Sequence, residues 1–162
     1  MVKFIILDID GTLTDGGLYY GNNGELIKKF NVKDGYGIGT LLPNNSIIPL
    51  IITGRENQMV DIRAKELNIP YVFHKVKDKK KCLDQFIKEF NNLHNTAISY
   101  KDFAVIGDDI PDLEIMKIIN QEGGISGCPN DAVNEIKKTA SYVSPLNGGY
   151  GAVRDFIEQL VK

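Results

Sequence analysis

The sequence predicts an α/β fold: a mostly parallel β-sheet with helices on both faces and an inserted β-hairpin, all within one domain over residues 1–162. Three observations predict it. Short apolar runs alternate with stretches of helical spacing along the chain. Two of those runs, IIPLII (47–52) and FAVIG (103–107), are continuously apolar, as strands covered on both faces must be. With 162 residues, 43% of them hydrophobic, the chain can fill a single core.

The elements follow in order. KFIIL (Lys3–Leu7) reads as the first strand. LYYGNNGELIKKF (Leu18–Phe30) reads as a hairpin turning at Asn22, Asn23 and Gly24. A glycine-loosened helix starts at Asp34, with Asp34 as its cap. Pro49 stands out in the strand Ile47–Ile52, because it cannot donate to a ladder. A helix over Glu56–Leu67 sets Val60, Ala64 and Leu67 on one face, and Tyr71–Phe73 is a short strand. Cys82, Leu83, Phe86, Ile87 and Phe90 recur at three-and-four spacing, the clearest helix of the chain, with Asp78 as cap and residues 91–102 as its exit loop. Strand Phe103–Gly107 precedes a helix whose first turn suits Pro111. A short strand near Gly124–Gly127, a helix capped by Asn130 and a strand at Tyr142–Ser144 come next. The last helix starts at Gly151, with Val153, Phe156, Ile157 and Leu160 on one face.

Composition excludes several classes of partner. A net charge of −2 gives no attraction to nucleic acid or to an anionic membrane. No apolar run approaches the roughly 20 residues of a membrane span, and the N-terminus enters a strand pattern without the features of a signal peptide. Cys82 and Cys128 fit no metal-ligand spacing and read as two reduced thiols of a cytoplasmic protein.

Ligands of open parallel sheets bind at the carboxyl ends of the strands, so the residues after each strand carry the functional reading. Asp8 and Asp10 follow the first strand; Thr53, Gly54 and Arg55 follow the strand around Pro49. Lys79 opens the helix after Tyr71–Phe73, and Asp108, Asp109 and Asp112 follow FAVIG. Clustered carboxylates suggest a hard cation, and Mg2+ is typically held by few carboxylates plus substrate phosphate. A hydroxyl and backbone N–H groups suit phosphate oxygens. A lysine offsets charge in phosphoryl transfer, and a carboxylate can itself attack phosphorus. No GxxxxGK segment is present, which excludes a P-loop. His74, His94, Lys75, Lys77, Lys80 and Lys81 read as surface groups.

DIDGT (8–12), IITGR (51–55), Lys79 and IGDDIPD (106–112) resemble, in order, the four motifs of the haloacid dehalogenase (HAD) superfamily of phosphotransferases. That resemblance implies a Rossmann-like HAD fold with Asp8 as nucleophile and Asp10 as general acid, then base. It implies that Thr53 and Lys79 hold the phosphoryl group and that Asp8, the backbone carbonyl of Asp10 and Asp108 hold Mg2+, with Asp109 and Asp112 as supporting acids. Spacing adds that there is no cap domain: the 42 residues between Asp10 and Thr53, and the 25 between Thr53 and Lys79, are taken up by the elements above.

The hairpin, FNVKDGYGI (30–38) and the late GGYGAVRD (148–155) resemble the phosphatases of 3-deoxy-D-manno-octulosonate (KDO) 8-phosphate. This narrower resemblance implies KDO 8-phosphate hydrolysis in the KDO and lipopolysaccharide pathway, by a homotetramer whose hairpins help build the subunit interface. It implies that Asn31, Val32, Lys33, Asp34 and Gly35 line the substrate site with Asp10, and that Arg55 and Arg63 meet the carboxylate or phosphate of the sugar acid. The sequence departs from the pattern at Gly39 and Tyr150, where basic residues are usual, and stops at Lys162 without a longer tail. Three alternatives stand beside this expectation: a phosphatase of a nine-carbon nonulosonate 9-phosphate, a receiver-type signalling domain, and a non-catalytic oligomerisation module.

Overall fold

The computed structural model describes all residues 1–162. Six strands form one sheet: β1 (Phe4–Leu7), β4 (Ile48–Ile52), β5 (Tyr71–Phe73), β6 (Phe103–Ile106), β7 (Ile125–Cys128) and β8 (Tyr142–Val143). Their order is β5-β4-β1-β6-β7-β8, and every pairing is parallel. The chain thus builds outward from β1 to one edge, then returns to lay β6 on the other side of β1. A crevice opens at the carboxyl ends of strands where the winding reverses in this way. The remaining pair, β2 (Tyr19–Gly21) and β3 (Gly24–Ile27), is the expected hairpin, closed by Asn22 and Asn23 and kept apart from the main sheet. A bridge between Thr14 and Phe30 ties its base.

Strand alternation sorts the core into two layers. Ile5 and Leu7 of β1 point to one face, where α3 (Gln58–Glu66) brings Val60 and Ala64 and α7 (Ala152–Leu160) brings Val153, Phe156 and Ile157. Phe4 and Ile6 point to the other, against Leu83 and Phe86 of α4 (Lys79–His94) and Ile115, Met116 and Ile119 of α5 (Leu113–Gln121). Each of the larger buried side chains among these contributes roughly 1.5–3 kcal/mol. Together they hold the ends of β1 and β6 rigid beneath the site. No helix is long and apolar enough to cross a membrane.

Pro49 sits in an interior strand without losing a ladder bond. The Ile48 N–H donates to Lys3 O (2.9 Å), toward β1, so the nitrogen of Pro49 faces β5. Pairing with β5 begins only at Leu50, opposite Tyr71.

Three local expectations are corrected. The helix after the hairpin, α1 (Val32–Tyr36), is capped by Asn31, not Asp34: Asn31 is extended and accepts from the Lys33 N–H at 2.8 Å. Helical backbone continues through Gly37–Leu41 into α2 (Leu42–Asn44). Asn130 caps nothing. The helix after it, α6 (Asn134–Thr139), has no side-chain cap, and the Asn130 amide donates to Asn147 instead (3.2 Å). Residues 91–94 belong to α4, which ends at Asn95 in the left-handed conformation (φ 50°). Asp78 caps α4 as expected, accepting from the Lys81 N–H at 2.8 Å.

Candidate active site

Beyond Leu7, β1 adds one more ladder bond, from the Asp8 N–H to Ile106 O (3.2 Å), and then breaks out of the sheet. The break is made by Gly11 at φ +90°, a conformation open to glycine. Space demands glycine as well: a Cβ there would lie 2.1 Å from Asp108 Oδ2. With Gly11 in place, the Thr12 hydroxyl donates to Asp108 Oδ1 at 2.9 Å and locks the exits of β1 and β6 together. Gly148 and Gly149 back this loop from behind. A Cβ on Gly148 would meet Gly11 O, and the Gly149 N–H donates to Thr12 O at 3.0 Å. The GGYG segment therefore braces the Asp8 turn.

The centre of the site is a buried lysine between acids. Lys79, the first residue of α4, donates to Asp8 Oδ1 (2.6 Å) and Asp112 Oδ1 (2.7 Å). Asp112 follows Pro111 and is 2% exposed; its second oxygen accepts from the Asp108 and Asp109 N–H groups at 3.3 and 3.4 Å. Gly107 leaves room for it, since a Cβ there would lie 2.2 Å from Asp112 Cγ. Burial and the charge of Asp112 push the Asp8 carboxyl well above the usual range, although Lys79 pulls the other way. Burial likewise pushes Asp108 up to about 6. Burial works against the Lys79 ammonium, but Asp8 and Asp112 outweigh it and raise its pKa.

Oxygens of Asp8, Asp108 and Asp112 lie within 4.8 Å of one another. Three carboxylates against one ammonium leave an excess that a divalent cation would balance. All the donors are oxygens, which suits a hard ion such as Mg2+.

Asp10 belongs to a second cluster. Its side chain turns away from the acids toward Lys28, which hydrogen-bonds to Oδ1, and toward Arg55 Nε, 3.8 Å from Oδ2. Lys28 also donates to Glu25 Oε1 at 2.8 Å. Arg55 Nη2 and Asn57 Nδ2 reach the other Glu25 oxygen at 3.3 and 3.1 Å, and Tyr20 O–H lies 3.2 Å from Arg55 Nη2. Burial opposes the charges of both Lys28 and Glu25, yet their pairing prevails, raising the lysine pKa and lowering that of the glutamate.

Asp8, Asp10, Thr53, Gly54, Arg55, Lys79, Asp109, Pro111 and Asp112 line one cleft of about 240 Å³. Thr53 is buried, and its hydroxyl oxygen accepts from the Arg55 N–H at 3.4 Å. Asp109 caps the turn Ile110–Asp112 through the Ile110 N–H (2.7 Å). The residues expected from 31–35, and Arg63, are not brought to this cleft. Asn31, Asp34, Gly35 and Arg63 line a separate, mostly apolar hollow of about 10 Å³, room for one water at most. Asp34 is 1% exposed and accepts from the Arg154 N–H at 2.7 Å, so it serves the start of α7. Burial pushes its carboxyl up to about 6. Val32 and Lys33 are exposed on the surface. Lys28 and Glu25 went unseen in the sequence, where nothing separates Lys28 from its neighbour Lys29.

No family profile matches the chain. Among characterised proteins, the chain is 36% identical over 160 residues to the KDO 8-phosphate phosphatases of Salmonella typhi and Escherichia coli K12, covering 99% of this chain and 79% of each relative. Among solved structures, it is similar to KDO 8-phosphate phosphatase from Moraxella catarrhalis in complex with magnesium, phosphate and KDO (TM-score 0.88, 34% identity, 99% of this chain and 86% of that one). It is similar also to the cobalt-bound enzyme of Haemophilus influenzae (TM-score 0.87, 32% identity, 99% and 87%).

Proposed function

Because the chain belongs to the KDO 8-phosphate phosphatase family of the HAD superfamily, we propose that it hydrolyses KDO 8-phosphate to KDO and phosphate, with Mg2+ as cofactor. The observation that carries this reading is the near-buried Asp8 at the exit of β1, gripped by Lys79 and flanked by Asp108 and Asp112.

In this reading Asp8 attacks phosphorus, the bond from phosphorus to the sugar oxygen breaks, and Asp10 delivers a proton to that leaving oxygen. Water then attacks the aspartyl-phosphate while Asp10 takes its proton, which frees phosphate and restores Asp8. Lys79 keeps Asp8 aligned, and with the Thr53 hydroxyl and the Gly54 N–H it faces the phosphoryl oxygens. Asp8, the backbone carbonyl of Asp10 and Asp108 would hold Mg2+, with Asp112 beside them, and the bound ion supplies positive charge for the phosphoryl oxygens. Arg55, at the rim, offers its fork to the sugar-acid carboxylate. Val32, Lys33 and Arg63 lie outside this cleft, so contact with substrate would come across a subunit boundary.

Phosphate release from KDO 8-phosphate tests the function, with a nine-carbon nonulosonate 9-phosphate assayed in parallel. We expect Mg2+-dependent turnover that EDTA abolishes and a preference for the eight-carbon substrate. A large preference for the nine-carbon ester would overturn the substrate, and turnover unaffected by EDTA would overturn the cofactor.

We also infer a homotetramer in the cytoplasm. Exposed Tyr19, Tyr20, Leu26 and Ile27 on a two-stranded ribbon support the assembly, because such a ribbon is marginal alone. The unpaired Cys82 and Cys128 support the compartment. Light scattering should give the mass of four chains, and a stable monomer would contradict the assembly.

A further inference from the structure

We propose that Lys28 is the positioning residue of Asp10, fixing which carboxylate oxygen faces the leaving group. The inference rests on the phosphatase reading above and adds a residue to it. Lys28 follows β3 directly, and its side chain is only 2% exposed. Lys28 is not among the residues that line the cleft, so what it does for the reaction it does through its partners. Those partners are two carboxylates. Asp10 Oδ1 accepts from Nζ, and Glu25 Oε1 accepts at 2.8 Å.

Glu25 is itself pinned from the far side by Asn57 and Arg55, on the segment that follows Thr53. The Lys28 nitrogen is thereby held between two fixed points. Asp10 lines the cleft, and with Oδ1 occupied it is left with Oδ2, which has only the longer Arg55 contact at 3.8 Å. Oδ2 is therefore the oxygen left free for the leaving group. Freed from Lys28, the Asp10 side chain could rotate about its Cα–Cβ bond toward Arg55, its remaining cationic neighbour, and an aligned donor would be lost.

The test separates alignment of Asp10 from general damage to the site. A sugar alkoxide leaves poorly without a proton, whereas p-nitrophenolate leaves well without one. The quantity to compare is kcat/KM, which reads up to release of the leaving group and leaves out the later hydrolysis of the phosphoenzyme. For Lys28→Met we expect kcat/KM on KDO 8-phosphate to fall by about 100-fold, the low end of a general-acid contribution. On p-nitrophenyl phosphate with Mg2+ it should fall by less than about threefold. Glu25→Gln, which loosens Lys28 without removing it, should show the same selectivity at smaller size, and it carries the test should Lys28→Met fail to fold. Equal losses on both substrates, or none on either, would overturn the role of Lys28. Wild type that is inactive on KDO 8-phosphate but active on p-nitrophenyl phosphate would instead overturn the substrate reading. The comparison would then be made on whichever alkyl phosphate the wild type does cleave.

Discussion

Asp8→Asn is expected to abolish phosphate release from KDO 8-phosphate, by on the order of 10⁴-fold or more, while leaving the protein folded. Asparagine matches aspartate in shape and keeps an oxygen for Lys79 at the exit of β1. It has no anionic oxygen with which to form an acyl phosphate. The fold should tolerate the change because the charge at Asp8 is a burden to it: burial and the neighbouring Asp112 push its carboxyl pKa well up, so the ionised form is disfavoured in the folded chain. Lys79 meanwhile retains Asp112 at 2.7 Å. The melting temperature in EDTA should therefore be no lower than that of wild type. The rise on adding Mg2+ should shrink, because one anionic donor is gone. Turnover within tenfold of wild type would remove Asp8 as nucleophile, and a large loss of stability in EDTA would contradict its place as a surplus charge.

The parts of this site legible in the sequence are those in which function sits within a few residues of a strand end. Asp8, Thr53 and Asp108 each follow an apolar run directly, and Lys79 opens a helix announced by its own periodicity. Local pattern alone thus carries them to one sheet edge. The parts that were not legible depend on docking between distant segments. Asp34 has the residue type and place of a cap, and Asn31 three residues earlier has them too. What decides between them is α7, which arrives 120 residues later and takes the Asp34 carboxylate for the Arg154 N–H. Lys28 lies beside Lys29 in sequence, yet one is buried against Asp10 while the other lies over the exposed ring of Tyr150, 3.6 Å from its centroid. Neighbours on an extended segment point to opposite sides, and only the partners met on each side, Asp10 and Glu25 on one and Tyr150 on the other, separate them. Asp112 is the intermediate case: the resemblance of IGDDIPD to the fourth HAD motif implies a supporting acid, but its central place follows from Gly107, whose missing Cβ admits its carboxylate.

Lys79→Met should be the most destabilising change in the site and should cost about 10²–10³ in turnover, as loss of a preorganised charge does. Methionine fills a similar volume with an unbranched chain, so the effect is chiefly electrostatic. The ammonium it removes is shared by Asp8 and Asp112, 9% and 2% exposed. Breaking a buried pair from one side costs about 3–5 kcal/mol, because the partner charge is left without compensation. The sign of the pH dependence follows from the groups involved. The pKa of Lys79 is raised in the folded chain, so the lysine keeps its own proton from about pH 5 to 9, and the pH dependence of its contribution comes from its partners. The acids have the same sign but titrate within this range. Asp8 is raised and Asp108 is pushed up to about 6, so both favour the folded state while protonated and burden it as pH rises through their folded values. The missing ammonium therefore matters least where they carry protons. In EDTA, the gap in melting temperature between wild type and Lys79→Met should widen from pH 5 to pH 8, and Mg2+ should narrow it at pH 8 by supplying the charge the lysine no longer brings. A gap that narrows with rising pH would mean that Lys79 does not compensate these acids, and the division of the site into an anionic centre and a cationic clamp would fall with it.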